Sequence, residues 1–259
     1  LDDMLGKVSE QLGGEWKVLI VDHVTVKVVS SACGMSDLTG QGVSLVENIA
    51  FGRQPQPHLD AVYFITPSPG SVAKLIADFG NGGGGGGGGE GTGQLYRKAH
   101  VFFSSPLPPA QLEAIKSCTS LVKALGSLAE FNLEYFTKDS RTFVTDQPGA
   151  MEVIFGGTSP STTAEFNAEC DLTATRLATL MAALREFPTI RYKAAKNADG
   201  AVAVGGAPAA VAAKVHRAML SLASKSKVNK SSIPTAPTCD LLILDRSVDP
   251  IAPIVHEWT

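Results

Sequence analysis

Two apolar runs of this sequence end in a carboxylate, which is where an α/β fold does chemistry. Lys17-Val18-Leu19-Ile20-Val21 leads into Asp22. Leu241-Leu242-Ile243-Leu244 leads into Asp245, with Asp249 four residues on. Acids at the carboxyl ends of parallel strands hold metal and phosphate in many enzymes. Asp22 therefore supports one reading, an α/β phosphoryl-transfer or nucleotide-binding enzyme. The neighbouring residues argue against it. A phosphoaspartate hydrolase needs Asp-x-Asp, and residue 24 is Val. A receiver-type site needs paired acids and a later Lys partner, and neither set can be assembled. No GxGxxG, GxSxG or Walker A sequence occurs. The other role open to both acids is helix N-capping, or pairing with a basic neighbour such as Arg246. No catalytic residue is assigned.

Metal and redox chemistry find no better footing. Cys33, Cys118, Cys170 and Cys239 are too far apart in sequence for a CxxC pair, and read as buried thiols. The five histidines, His23, His58, His100, His216 and His256, show no ligand spacing. No metal and no cofactor is expected. The eight glycines Gly82 to Gly89 follow a helical pattern and lack the Lys-Ser/Thr of a phosphate loop. They read as a flexible low-complexity insertion, cheap because loop-closure cost grows slowly with length.

The elements that would carry these residues alternate. Leu1 to Leu12 reads as a short helix. Lys17 to Asp22 is a β-branched run typical of a strand buried on both faces. Val24 to Cys33 is ambiguous between helix and strand. Val43 to Val46, Ala61 to Ile65, His100 to Phe103 and Leu133 to Phe136 supply four further strands. Val72, Leu75, Ile76 and Phe79 mark a helix, and another starts near Pro109. This alternation predicts an α/β fold with a parallel sheet. Beyond about residue 140 the pattern shifts to a long helix from Glu165 to Glu186, a short strand at Thr189 to Tyr192, and a helix from Pro208 to Ala223. A polar linker at Lys225 to Pro237 and a buried-type strand at Leu241 to Asp245 follow. The fold class is thus a parallel-sheet first domain plus an incomplete second α/β domain, with the boundary at 138/139.

Composition bounds the partners. The 259 residues are 44% hydrophobic and 18% charged, with mean hydropathy +0.11, enough apolar mass for a core. Net charge is −3, which argues against nucleic acid held by bulk charge. No run reaches the ~20 apolar residues that span a bilayer, and the opening Leu1-Asp2-Asp3 is unlike a signal peptide.

Several segments taken together resemble one family. They are Glu15 to Asp22, Ser36-Asp37-Leu38, Gly42 to Glu47, Arg53-Gln54-Pro55-Gln56-Pro57 and Asp60 to Pro67. Tyr96 to Phe103, Leu184 to Tyr192, Leu241 to Pro250 and His256-Glu257-Trp258-Thr259 complete the set. They are collinear and cover nearly the whole chain. They are similar to the Sec1/Munc18 family of syntaxin-binding proteins in SNARE-driven membrane fusion, nearest its plant plasma-membrane branch.

That resemblance implies a chain without catalytic activity that regulates vesicle docking and fusion in exocytosis. It also implies a cytoplasmic location, peripheral to plasma membrane or secretory vesicles. Partners would be a syntaxin-type SNARE and the SNARE bundle, with membrane contact only through SNAREs. Residues 1–138 would form syntaxin-binding domain one, and 139–259 the first part of domain two, stopping where a third domain is inserted. The family's syntaxin cleft maps onto Asp22, Val26, Lys27, Glu47 and Arg53, with Gly34 standing where many relatives carry Lys. Its pocket for the syntaxin N-terminal peptide maps onto Leu112, Leu128 and Glu130, an apolar slot beside a carboxylate.

Overall fold

The computed structural model describes residues 16–80, 94–156, 163–194, 206–229, 233–252 and 255. The expected Leu1–Leu12 helix, the polyglycine run and His256 to Thr259 lie outside them. The chain divides into two units, Leu1–Val144 and Thr145–Thr259.

Unit 1 is built on five parallel strands: β1 Lys17–Val21, β2 Val43–Asn48, β3 Asp60–Ile65, β4 Ala99–Phe103 and β5 Leu125–Glu130. Their spatial order is β2-β1-β3-β4-β5. β1, β3 and β4 are buried along their whole length, because helices cover both faces of the sheet. On one face pack α3 Pro69–Phe79, α4 Pro109–Ser117 and α5 Thr119–Ala124, over Val18, Ile20, Tyr63, Val101 and Phe103. On the other pack α1 Thr25–Ala32 and α2 Met35–Gly40, over Leu19, Val21, Val62, Phe64 and Phe102.

The ambiguous segment after Asp22 is α1. Its β-branched residues disfavour a helix in isolation. Val24, Val28 and Val29 bury on the sheet, and that packing decides the outcome. α3 has its start written in the sequence: Ser68 accepts the Ser71 amide N–H at 3.1 Å, and Pro69 follows the cap.

The second of these faces has a polar row at its amino edge. Lys17 on β1 is in register with Asp60 on β3, and His100 on β4 is in register with Ser127 on β5. Lys17, Asp60 and His100 are buried. Asp60 accepts from Arg97 Nε at 2.7 Å. His100 lies 3.3 Å from Asp60 by Nε2 and 3.2 Å from Ser127 Oγ by Nδ1. A carboxylate only accepts, so the ring proton sits on Nε2 and Nδ1 accepts from Ser127.

The fifth strand is not Leu133 to Phe136. It is Leu125–Glu130, which leaves α5 without a turn. Asn132 then adopts φ 53°, which ends the regular strand, although Leu133 N still donates to Ser104 O at 2.8 Å. Phe136–Thr137 (β6) pairs instead with Phe143–Val144 (β7) in a small antiparallel ladder.

Unit 2 contains α6 Ala150–Phe155, α7 Ala164–Leu184, β8 Pro188–Tyr192, α8 Ala207–Asn229 and β9 Cys239–Ile243. Phe166, Cys170, Ala174 and Ala178 of α7 meet Val211, Val215, Met219 and Leu222 of α8. Two expectations are corrected here. The helix runs through Lys225 to Asn229, so the polar linker is shorter than its composition suggests. The last strand is half-exposed: Leu241 and Ile243 face the core, while Leu242 is 62% exposed. β8 and β9 pair only with each other among the described residues, and Thr189, Arg191, Asp240 and Leu242 on one face of the ribbon are exposed.

Candidate functional site

Asp22 lies at the carboxyl end of β1, where the sheet order reverses between β1 and β3. In sheets of this order, that crevice is the usual ligand site. Here it is filled by the protein's own side chains. Asp22 is 2% exposed. Its Oδ1 accepts the amide N–H of Val24 at 3.0 Å and of Thr25 at 2.9 Å, at the start of α1. Its Oδ2 accepts Thr66 N at 2.7 Å, Thr66 Oγ1 at 2.6 Å and Ser71 Oγ at 3.0 Å. Thr25 Oγ1 is also 3.1 Å from Oδ1, but its single proton goes to Phe64 O at 2.6 Å. Burial pushes the Asp22 carboxyl up, and the donors from Thr25, Thr66 and Ser71 outweigh it, holding the group below the ordinary carboxylate value. Both oxygens are committed to tying the β1–α1 turn to the β3–α3 turn. A carboxylate so enclosed has no free face for phosphate, metal or a partner protein.

Asp245 does what a cap does. It accepts Ser247 N at 3.0 Å at the start of the short 3-10 turn Arg246–Val248. Asp249 caps the next turn through Ile251 N and Ala252 N.

The other four cleft residues lie near the β2 side of unit 1, on two faces. Val26 and Lys27 are on α1. Val26 is half-buried against the core and Lys27 is exposed. Glu47 is in register with Ile20, on the face that α3 covers. Glu47 and Arg53 enter one polar cluster beneath that face. Tyr96 Oη donates to Glu47 Oε2 at 2.8 Å. Arg53 Nη2 donates to Asp78 Oδ1 and Oδ2 at 2.6 and 2.8 Å, and Tyr63 Oη donates to Asp78 Oδ2 at 2.7 Å. The Tyr63 and Tyr96 rings meet edge to face at 6.3 Å. Burial raises the Asp78 carboxyl above its usual value, against the pull of Arg53 and Tyr63. Sequence reading did not find Asp78, Tyr63 or Tyr96. The available signal was an acid at the i+3 position after Val72 and Leu75, on the buried stripe of α3.

Leu112, Leu128 and Glu130 lie on two other elements of unit 1. Leu128 and Glu130 alternate on the edge strand β5, in register with Val101 and Phe103, and so belong to the face that α4 covers. Leu128 is 39% exposed and Leu112, on α4, is half-buried. Glu130 Oε1 accepts Leu107 N at 2.9 Å and so braces the segment leading into α4.

With this geometry in hand, comparison with known proteins is decisive. The Sec1 family model matches residues 17–259. The chain belongs to the Sec1 family. Among curated Sec1 relatives it is 43% identical over 244 residues to "SNARE-interacting protein KEULE" of Arabidopsis thaliana, covering 94% of this chain and 35% of KEULE. It is 40% identical over 259 residues to "Protein transport Sec1a" of the same plant, covering 100% and 36%. The chain thus spans about a third of the length of these Sec1 relatives. Among solved structures it is similar to the Unc18–syntaxin 1 complex of Monosiga brevicollis. There the TM-score is 0.73 and identity 27%, over 99% of this chain and 42% of that one. The Sly1p complex with an N-terminal peptide of Sed5p shares the fold, with TM-score 0.73 and 22% identity over 98% of this chain and 38% of that one. No helix among the described residues is long and apolar enough to cross a membrane.

Proposed function

We propose that this chain binds a syntaxin-type SNARE and regulates vesicle docking and membrane fusion in secretion, without catalytic activity. The carrying observation is the likeness along 99% of the chain to Unc18 solved in complex with syntaxin 1, at 27% identity. On this reading, residues 1–138 are syntaxin-binding domain one and 139–259 the first part of domain two. The protein works in the cytoplasm, attached to plasma membrane or secretory vesicles through its SNARE.

Val26, Lys27, Glu47 and Arg53 supply contacts for the folded SNARE. Asp22 shapes the turn from which α1 departs and touches no partner. Leu112, Leu128 and Glu130 form the slot for a syntaxin N-terminal peptide. An exposed leucine on an edge strand, with a carboxylate two residues on along the same face, suits an apolar anchor next to a basic residue.

Titration of a fluorescent syntaxin N-terminal peptide against the chain, read by anisotropy, tests the slot. Saturable binding in the micromolar range, about −8 kcal/mol, is expected. A folded chain that leaves the peptide and a syntaxin cytosolic domain equally unbound would remove the reading.

A further inference from the structure

Arg53 carries hydrogen-bonding capacity that its own fold does not use. Its side chain is 6% exposed. One nitrogen, Nη2, makes both bonds to Asp78, while the buried Nε and Nη1 have no acceptor. Burying cationic N–H groups without acceptors is unfavourable, and folded chains do so rarely. Arg53 itself sits in an open stretch of chain. Phe51, Gly52, Gln54, Pro55, Pro57 and His58, in the connection between β2 and β3, are all exposed.

The charges around the group restrict what completes it. Glu47 and Asp78 are two acids to one guanidinium, so a further carboxylate would enter a cluster that is already negative. Glu47 Oε2 takes the Tyr96 hydroxyl, and its other oxygen has no bond among the described residues. One neutral group meets both needs, a carbonyl for Arg53 and an N–H for Glu47. That group is an amide.

Resting on the SNARE-binding reading, we propose that the bound partner supplies the missing acceptor to Arg53 Nε and Nη1, and that this acceptor is the carbonyl of a main-chain or Asn/Gln amide. A partner docked on the exposed connection between β2 and β3 is the one placed to reach it. Arg53 is then a specificity residue held in place by Asp78 and Tyr63.

The test titrates the full chain with a labelled syntaxin cytosolic domain at about 50 and about 300 mM NaCl, which changes the screening of exposed charges. Arg53→Lys keeps a cation beside Asp78 and deletes the idle donors. The expected result is affinity weaker by about ten-fold or more, with the ratio to wild type steady within about two-fold between the two salts and no drop in Tm. Glu47→Gln still accepts from Tyr96 and from an amide N–H, so its loss stays below about three-fold. Equal affinity for Arg53→Lys means the donors meet only water and overturns the proposal. So does a loss that shrinks with salt, which marks a carboxylate partner, or a ten-fold loss in Glu47→Gln, which marks a cation. If wild type binds neither the cytosolic domain nor the N-terminal peptide, the SNARE reading fails and takes this inference with it; binding of the peptide alone overturns this inference and leaves that reading standing. Should Arg53→Lys lower Tm, the affinities are compared at a temperature well below both transitions, where circular dichroism shows both chains folded, and the same outcomes decide.

Discussion

Thr66 binds Asp22 twice, through its amide N–H at 2.7 Å and its hydroxyl at 2.6 Å, across 44 residues of sequence. The pair joins the exits of two adjacent strands at the point where other sheets of this order open to a ligand. Asp22→Ala would strand three backbone N–H groups and two hydroxyls in a buried place. A loss of about 3 kcal/mol or more is expected, read by urea unfolding. Asp22→Asn should fall between, since its amide turns donors toward donors. The folded carboxyl lies below its ordinary value. Its contribution is therefore complete above about pH 4 and disappears as pH falls through the folded value. An Asp22→Ala protein as stable as wild type at pH 7 would mean that the network contributes nothing.

His100 gives a second pH dependence, at higher pH. Burial lowers its affinity for a proton, and the pull of Asp60 does not fully restore it. The unfolded chain takes the proton near pH 6.5 while the folded one resists, so stability is full above about pH 6.5 and declines as pH falls toward the folded value. His100→Gln should flatten the fall in unfolding free energy between pH 7 and 5. An unchanged slope would place the titration on another group.

Gly126 touches the same ring. A Cβ there would lie 2.5 Å from His100 Cε1 and 2.9 Å from Nδ1. Gly126→Ala is expected to destabilise by about 1–3 kcal/mol, because the ring has no room to retreat. Combining it with His100→Ala should recover part of that loss, a coupling that a double-mutant cycle in urea measures. Strict additivity would show that the ring is not what glycine makes room for.

Leu128 separates binding from folding. At 39% exposure its replacement by Asp should cost the fold no more than about 1 kcal/mol. The same change should abolish binding of a syntaxin N-terminal peptide, by placing a charge in an apolar slot. Peptide affinity equal to wild type, with unchanged circular dichroism, would move the slot elsewhere.

What could be read in the sequence follows from what each segment buries. β1, β3 and β4 were legible because both of their faces are covered, which forces continuous apolar runs. Leu125–Glu130 was not, since a half-exposed edge strand tolerates Gly126 and Ser127 where a central strand would not. Leu133 to Phe136 is the more strand-like run, yet the left-handed Asn132 breaks the extended backbone just before it. At the candidate site, the role of Asp22 was hidden because its decisive partners, Thr66 and Ser71, lie on a distant turn. The hydrogen-bond partners of Glu47 and Arg53 are hidden in the same way. Tyr96 and Asp78 reach them only through the folded sheet.

The polar row at the amino edge of the sheet also works as an indexing key. Parallel strands slide past one another in steps of two residues without exchanging faces, so an all-apolar face would accept several alignments. Here a two-residue slip of β1 against β3 would bring Lys17 beside Val62, or Asp60 beside Leu19, and a slip of β4 would carry His100 away from Asp60 and Ser127. Each misaligned sheet strands a charge among Leu19, Val62 and Phe102. One alignment seats all the polar groups together, so four residues at the sheet's rim select the stacking of the apolar layers above them.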